Sequence, residues 1–245
     1  MKVTLLAHTS EPEKVVAAAA KLCYSQKADI DSLMESLTPD AIEKFVSKLE
    51  SYGHGSPFEH ASFTFAIEGV DRAFMAQATR HRVGTSFSIR SQRYCSEANF
   101  DTVMPKAIEK NDKARIAYRS LMADVKKVYN DMQNEGIANE DARAVLPNSC
   151  ETRMIVTMNV RQLWHYFNER CCMRAQAPHR AVANEMLRLC KEAAPVLFRH
   201  AGPKCVKGYC PEGAMTCGKA PTMDELQKAY RLVKWDKSLG EKAGA

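Results

Sequence analysis

An alternation of apolar and other side chains at residues 61 to 68 places the strongest constraint on the fold of this chain. The apolar side chains on one side of this segment are Phe63, Phe65 and Ile67. Because successive side chains of a strand point to opposite faces of a sheet, the pattern predicts a half-buried β-strand. Asp71 then suits the N-cap of a short helix over residues 72 to 79, which runs directly into a strongly basic segment. The predicted local order is therefore strand, helix and basic strand.

Hydrophobic periodicity predicts further elements along the chain. The predicted strands are residues 2 to 8 and 154 to 160, and the predicted helices are residues 12 to 23, from 38, 108 to 135, from 139, 161 to 170 and 179 to 197. Residues 222 to 225, Thr-Met-Asp-Glu, have the form of a capping box for a final helix through Trp235. Since no internal repeat or low-complexity linker is present, we expect one compact domain with a small C-terminal appendage.

Composition narrows the class of protein. The chain has 245 residues, of which 45% are hydrophobic and 26% charged, a profile typical of a globular protein of enzyme size. The first residues lack a cleavable leader and no eighteen apolar residues follow one another, so we expect a cytoplasmic protein without a membrane partner. A net charge of +6 suits anionic ligands but is small for a protein that coats nucleic acid.

The basic segment, residues 80 to 94, is the first candidate site. Four arginines, one histidine and three serines occupy its fifteen positions. Arginine presents a planar fork of donors that stays charged near pH 7, and serine hydroxyls add short-range donors. The segment therefore suits phosphates or other planar anions, although composition alone also allows a solvated basic edge strand.

A second candidate is the glycine-bounded loop that carries His54, Glu59 and His60. A histidine with a glutamate can transfer protons, bind a metal or position a cofactor. Their spacing differs from the zinc signatures, which makes a metal the weaker choice. For His60 the plain alternative is a loop histidine that caps backbone carbonyls.

A third candidate follows the predicted strand near residue 159. Arg161, His165 and Arg170 are four and five residues apart, so they share one broad side of a helix. Arginines beside apolar residues usually meet an anion, and surface charges are the plainer alternative.

The cysteines form the last candidate. His200, Cys205, Cys210 and Cys217 have wider gaps than most zinc ligand pairs, so we favour buried free thiols and leave a structural metal open. The chain has nine cysteines and no secretion signal, which argues against a disulfide framework.

Common nucleotide and hydrolase signatures are absent from the sequence. It contains neither a Gly-x4-Gly-Lys-Ser/Thr loop nor Gly-x-Gly-x-x-Gly, and no Gly-x-Ser-x-Gly elbow accompanies its serines. The residues alone therefore indicate an enzyme or binding protein for a phosphorylated, aromatic small molecule. A nucleic-acid-binding module that uses the basic segment and a phosphatase are weaker alternatives.

Several motifs, taken in order, resemble the flavin-dependent thymidylate synthases. Arg-His-Arg at residues 80 to 82 is followed after eight residues by Ser91, and Gln77 stands just before the first arginine. The other segments that match are residues 54 to 60, 143 to 147 and 159 to 170. Several spaced motifs in order are more specific than any one of them. At residues 177 to 179 the chain has Ala-Pro-His where many members have Trp-Glu-Ile, and ligands between Thr85 and Arg90 stay unassigned.

This resemblance implies an α+β fold, with a mixed or antiparallel sheet packed against helices, in a homotetramer whose active sites are shared between subunits. It implies reductive methylation of dUMP to dTMP, with methylenetetrahydrofolate as carbon donor, NADPH as reductant and FAD as hydride carrier. No covalent enzyme nucleophile, metal or nucleic-acid partner is implied. Residues 1 to 200 would form the catalytic domain and residues 201 to 245 a cysteine-bearing extension of it.

The resemblance also assigns roles to individual residues. Arg170 would be catalytic and lie against the uracil, where its fixed charge stabilises negative charge that develops on the pyrimidine. Ser91 would bind dUMP rather than attack it, because nothing nearby in sequence marks a dedicated base. The expected dUMP ligands are Gln77, Ser91, Arg93, Arg143 and Arg170. The expected FAD ligands are His54, Ser56, Arg80, His81, Arg82, Asn159, Arg161 and His165.

Overall fold

The computed structural model describes residues 1–26 and 29–220. Its strands are β1 (Lys2–His8), β2 (Ser62–Asp71), β3 (Thr85–Ile89) and β4 (Glu151–Asn159). Within the described residues they form one antiparallel sheet in the order β1, β2, β4, β3. The prediction of an antiparallel sheet packed with helices is confirmed. The capping box at residues 222 to 225 and the helix through Trp235 lie outside the described residues.

Helices precede, separate and follow the strands. The α-helices of the described residues are α1 (Pro12–Leu22), α2 (Ile30–Glu35), α3 (Pro39–Ser51), α4 (Arg72–Ala78), α5 (Lys106–Glu109), α6 (Asp112–Asn134), α7 (Asn139–Ala142), α8 (Val160–Arg170), α9 (Ala177–Ala193) and α10 (Pro195–Phe198). Short 3₁₀ helices lie at Ser56–His60, Arg143–Val145, Lys204–Lys207 and Gly213–Met215. Helix α2 is an addition to the elements predicted from sequence.

One face of the sheet carries the core. The alternating residues Phe63, Phe65 and Ile67 of β2 are buried, and they lie opposite Met158, Val156 and Met154 of β4. Helix α9 packs against β1 and β2, and α8 packs against β4. The other face is more polar, since Thr64 and Thr157 share a hydrogen bond of 2.9 Å across the two central strands. The predicted one-sided burial is therefore confirmed.

Side-chain caps fix where two helices leave the sheet. Asp71 Oδ1 accepts from Phe74 N at 2.6 Å, so α4 begins where β2 ends. Asn159 Oδ1 accepts from Gln162 N at 2.9 Å, so α8 begins where β4 ends. Because β2 and β4 are antiparallel neighbours, these helices start at opposite ends of the sheet and their C-terminal ends meet.

The basic segment is only partly a strand. Thr85–Ile89 pairs with β4, whereas residues 80 to 84 form a turn after α4. Gly84 has a φ of 63°, a conformation that ends the turn and is strained for other residues. The arginines therefore flank the strand rather than lie within it.

Two predicted helices are interrupted. The helix expected over residues 108 to 135 divides because Asn111 Oδ1 caps Ala114 N at 3.0 Å and begins α6 there. The helix expected over residues 179 to 197 divides at Ala194, because Pro195 has no N–H to continue it. Val196 N donates instead to Glu13 Oε1 at 2.7 Å, which fastens α10 to α1.

The apolar side of α6 is exposed within the part of the chain that the structure describes. Leu121 and Val128 are 57% and 41% exposed, and Ile116 is exposed on another side. Tyr129 is the buried residue of this helix. Periodicity therefore predicts the helix correctly, while the described residues leave its apolar side exposed.

We expect Gly84→Ala to destabilise the fold more than Gly53→Ala. Both glycines have a similar positive φ, of 63° and 69°, so either alanine carries backbone strain of about 1–3 kcal/mol. An added Cβ at Gly84 would also lie 2.8 Å from Asn159 Cγ, whereas one at Gly53 meets nothing within 4 Å. Urea unfolding followed by circular dichroism measures the difference. Equal losses in the two variants would contradict the packing of Gly84 on Asn159.

Candidate active site

Three segments meet at the N-terminal end of α8. The Gly84 carbonyl accepts from Asn159 N at 3.1 Å, which brings the turn at residues 80 to 84 to the start of the helix. Arg161 Nη1 donates to Glu59 Oε1 at 2.5 Å and reaches the loop at residues 54 to 60. A Cβ at Gly55 would lie 3.0 Å from Arg161 Nε, so this glycine allows the guanidinium to lie against the loop between His54 and Ser56.

The C-terminal end of α8 holds a second contact group. Arg170 Nε donates to His81 Nε2 at 2.9 Å, and Arg170 Nη2 lies 3.5 Å from the Gln77 carbonyl oxygen. Gln77 belongs to the last turn of α4, and its carbonyl also accepts from Arg80 N at 3.4 Å. Arg170 therefore joins the ends of two helices, with its guanidinium only partly buried.

A separate group surrounds Glu140. Arg93 forms an ion pair with the Glu140 carboxylate, and Arg143 Nε donates to the Glu140 carbonyl oxygen at 3.1 Å. Ser91 Oγ accepts from the backbone N–H groups of Arg93 and Tyr94 at 3.1 and 3.4 Å. In the described chain, none of these hydrogen bonds or ion pairs reaches Gln77 or Arg170. The predicted dUMP ligands therefore divide into two groups.

Arg90 has a structural partner. Its guanidinium pairs with Glu97, whose side chain is 6% exposed, and also donates to the Ser96 carbonyl at 3.2 Å. Glu97 N donates to Tyr129 Oη at 3.0 Å, which ties the same segment to α6. One of the four arginines of the basic segment is thus committed to holding the segment in place.

Burial and nearby charges lower the pKa of two histidines, His81 and His179. Burial, then the charges of Arg170 and His165, lower the pKa of His81 to about 4. Burial, then Arg170 and His81, lower the pKa of His179 to about 3. His179 packs between the rings of Phe74 and Tyr166, and both of its ring nitrogens are buried without a hydrogen-bond partner among the described residues.

The cysteines of the C-terminal region gather near α8. Cys172, Cys205 and Cys210 line a cavity of about 210 Å³, and Lys204 Nζ binds Glu169 at 2.8 Å beside it. Burial, followed by the neighbouring thiols, raises the pKa of Cys205. In residues 1–26 and 29–220, no three His, Cys, Asp or Glu side chains lie close enough to hold a metal ion together. The cysteines there are free thiols, as predicted, but the predicted burial of the C-terminal ones is wrong, since Cys205 and Cys210 are half-buried and Cys217 is exposed.

The predicted FAD ligands are mostly exposed around the start of α8. His81 differs from the others: its ring is buried and bonded to Arg170, so a direct contact with flavin stays a prediction. Two residues that sequence reasoning did not single out, Glu140 and Gln162, contact predicted ligands. The sequence gives little indication of them, because a single acidic residue or a single amide does not form a recognisable motif.

In the part of the chain that the structure describes, every helix is too short or too polar to cross a bilayer.

Fold and site together define an α/β protein with a one-sided antiparallel sheet and two arginine-rich groups that suit phosphate ligands. The profile of the family described as thymidylate synthase complementing protein matches residues 4–196. The chain belongs to this family, the flavin-dependent thymidylate synthases, which are methyltransferase enzymes. The resemblance drawn from the motifs is confirmed.

Named relatives match over most of their length. The flavin-dependent thymidylate synthase of Geobacter sulfurreducens is 49% identical over 228 residues, which cover 92% of this chain and 97% of the relative. The protein of the same name from Clostridium tetani is 46% identical over 242 residues, with 92% and 96% covered. That from Pyrococcus furiosus is 37% identical over 221 residues, with 86% and 90% covered.

We expect the free energy of unfolding to fall as the pH drops from 7 to 5. The pKa of His81 is about 4 in the folded chain and near its ordinary 6.5 when unfolded, so the unfolded state binds more protons in this range. His81 alone then contributes a loss of about 2 kcal/mol. Stability is therefore retained above pH 6.5 and lost progressively towards pH 4.

Urea unfolding at pH 7, 6 and 5 measures this loss. His81→Gln should flatten the pH dependence, and His8→Gln, at the exposed end of β1, is the matched control. A pH dependence that His81→Gln leaves unchanged would show that His81 is not held neutral by the fold.

Proposed function

We propose that this chain catalyses the reductive methylation of dUMP to dTMP, with methylenetetrahydrofolate as carbon donor, NADPH as reductant and FAD as the flavin. The observation that carries the proposal is the meeting of the loop at residues 54 to 60, the turn at residues 80 to 84 and α8. The names of the relatives support the reaction and the dependence on a flavin.

The exposed donors around the start of α8 fit FAD. Arg80, Arg82 and Arg161 have exposed side chains, which can donate to the diphosphate of the cofactor. The N-terminal end of an 11-residue helix adds a partial positive charge at the same place. Asn159 uses its amide oxygen for the helix cap, so its amide nitrogen is the group left to donate to a ligand.

His54, Ser56 and His165 complete the proposed flavin surface. The first two flank Gly55, against which Arg161 lies, and His165 is exposed one turn further along α8. FAD supplies the hydride transfer when it is bound. The protein's own part is to bind the cofactor beside the substrate and to orient both.

The dUMP site would combine the two groups, which no hydrogen bond or ion pair joins directly within the described residues. Ser91, Arg93 and Arg143 offer hydroxyl and guanidinium donors that suit a phosphate, while Gln77 and Arg170 suit the pyrimidine. Arg170 would stabilise negative charge on the uracil, because its guanidinium stays protonated and is oriented by His81. Two groups on different parts of the chain support a site that subunits share.

Ser91 would serve binding rather than nucleophilic attack. Its hydroxyl oxygen accepts two backbone N–H groups, and among the described residues no histidine or carboxylate hydrogen bonds to it. A nucleophilic serine needs an adjacent base to accept its proton. We therefore propose a reaction without a covalent bond between enzyme and dUMP.

Homotetramer formation would cover the apolar side of α6. Leu121 and Val128 are seven residues apart, hence on one side of the helix, and both are exposed in the single chain. An apolar surface of this kind is typical of a subunit interface. We further propose that residues 1 to 200 form the catalytic domain, which the family match to residues 4–196 supports, and that residues 201 to 245 extend it.

The direct test of the activity is product formation by the purified protein. With dUMP, methylenetetrahydrofolate and NADPH, we expect dTMP to form only when the protein carries FAD. The appearance of dTMP, measured by chromatography, would support the proposal, and a flavin-loaded protein that makes none would contradict it.

We expect Arg170→Ala to lose turnover and dUMP affinity while FAD stays bound. Removing one charged donor that acts on developing charge typically costs about 10²–10³ in kcat. Arg174→Ala is the matched control, because Arg174 lies near the same helix end but pairs with Glu212 at 3.2 Å. Steady-state kinetics and flavin absorbance give the two readouts. Retained activity in Arg170→Ala would remove Arg170 from the pyrimidine site.

We expect Leu121→Asp to weaken the tetramer. A carboxylate placed in an apolar interface loses its hydration without gaining a partner. Arg119→Asp, exposed on another side of α6, should leave the assembly intact. Sedimentation velocity distinguishes the species, and an unchanged tetramer in Leu121→Asp would exclude this side of α6 from the interface.

A further inference from the structure

A row of three hydrogen-bonded polar side chains includes Gln162, in the first turn of α8, His81, and Arg170, the last residue of α8. Arg170 Nε donates to His81 Nε2 at 2.9 Å, and the amide of Gln162 lies 3.4 Å from His81 Nδ1. His81 and Gln162 are 7% and 8% exposed. Because both are buried, a group that loses its partner here is left unsatisfied rather than solvated.

The donor and acceptor groups of these three side chains fix the direction of the hydrogen bonds between them. Arginine has only donors, so His81 Nε2 must accept and the ring must be neutral with its proton on Nδ1. The Nδ1–H group then donates and requires an acceptor. The Gln162 amide faces it, and a half-turn of that amide puts its oxygen where its nitrogen lies. We therefore assign the amide oxygen as the acceptor of Nδ1–H.

We propose that Gln162 is a positioning residue for Arg170, which it orients by holding His81 as the neutral Nδ1–H tautomer. The consequence for the reaction rests on the proposed function, in which Arg170 faces the pyrimidine. It also gives His81 a positioning role in place of a direct contact with flavin. The hydrogen bonds between Gln162, His81 and Arg170 do not depend on the identity of the substrate.

The surroundings of His81 agree with a neutral ring. The charged and titratable groups around it are Arg170, His165, Glu169 and Tyr166 on α8, and His179 on α9. An imidazolium would face the Arg170 guanidinium directly, which disfavours the charged form. Glu169 offers little compensation, because Lys204 already binds its carboxylate at 2.8 Å.

Two substitutions of Gln162 should disturb Arg170 through different states of His81. Gln162→Leu leaves the buried Nδ1–H group without an acceptor, which favours transfer of the ring proton to Nε2 and displaces the Arg170 Nε–H group from it. Gln162→Glu places a carboxylate beside Nδ1 and favours the imidazolium, in which both nitrogens are donors. In either case Arg170 loses its acceptor.

The direct test is ¹⁵N NMR of the full-length protein labelled at histidine, with the His81 signals identified by their absence in His81→Gln. At pH 7 we expect the Nδ1–H tautomer in the wild type, the Nε2–H tautomer in Gln162→Leu and the imidazolium in Gln162→Glu. A wild-type ring protonated on Nε2 would overturn the proposal without any variant. Unchanged His81 signals in both variants would also overturn it.

Kinetics supply the second readout. Gln162→Leu should raise the KM for dUMP about tenfold with flavin content unchanged. Gln162→Glu should recover activity as rising pH removes the imidazolium proton, a response that a general packing defect would not give. Gln133→Leu, at a partly buried glutamine of α6, is the control. A wild-type protein that makes no dTMP would refute the proposed function but not the role of Gln162, because NMR reports the tautomer of His81 without any reaction.

Discussion

The junction of β4 and α8 at Asn159 fixes the geometry on which the proposed site depends. Its backbone N–H binds the Gly84 carbonyl at 3.1 Å and its side chain caps Gln162 N at 2.9 Å. Met158 and Val160 on either side are buried, so neither the strand end nor the helix start can shift without disturbing the core. The direction of α8 follows, and with it the separation between the exposed donors at its start and Arg170 at its end.

The arginines of the chain differ in how easily a ligand could displace the carboxylate with which each one pairs. Arg161 with Glu59 and Arg93 with Glu140 are pairs between exposed side chains, which typically contribute about 0–1 kcal/mol. A phosphate that binds either arginine can therefore replace the carboxylate at small cost. Arg90 differs, because Glu97 is buried and breaking such a pair costs about 3–5 kcal/mol. Arginines that are alike in the sequence thus divide into those with a readily displaced partner and one with a structural partner.

Local chemistry explains which features could be predicted from the sequence. The alternation at Phe63, Phe65 and Ile67 and the cap at Asp71 depend on neighbouring residues, and both predictions are confirmed. The motifs also predicted the family. The exposed side of α6 could not be foreseen, because periodicity identifies an apolar side without its partner. The role of Gln162 depends on His81, 81 positions away along the chain, and only the fold brings the two together.

We propose that α8 holds a flavin at one end and orients dUMP at the other, so that the two ligands lie in contact. The most direct test is a titration of dUMP into the flavin-loaded protein, followed by visible absorbance. We expect dUMP to change the flavin spectrum with a saturable dependence, because the pyrimidine alters the polarity around the ring. A protein that binds dUMP in calorimetry while its flavin spectrum stays unchanged would contradict it.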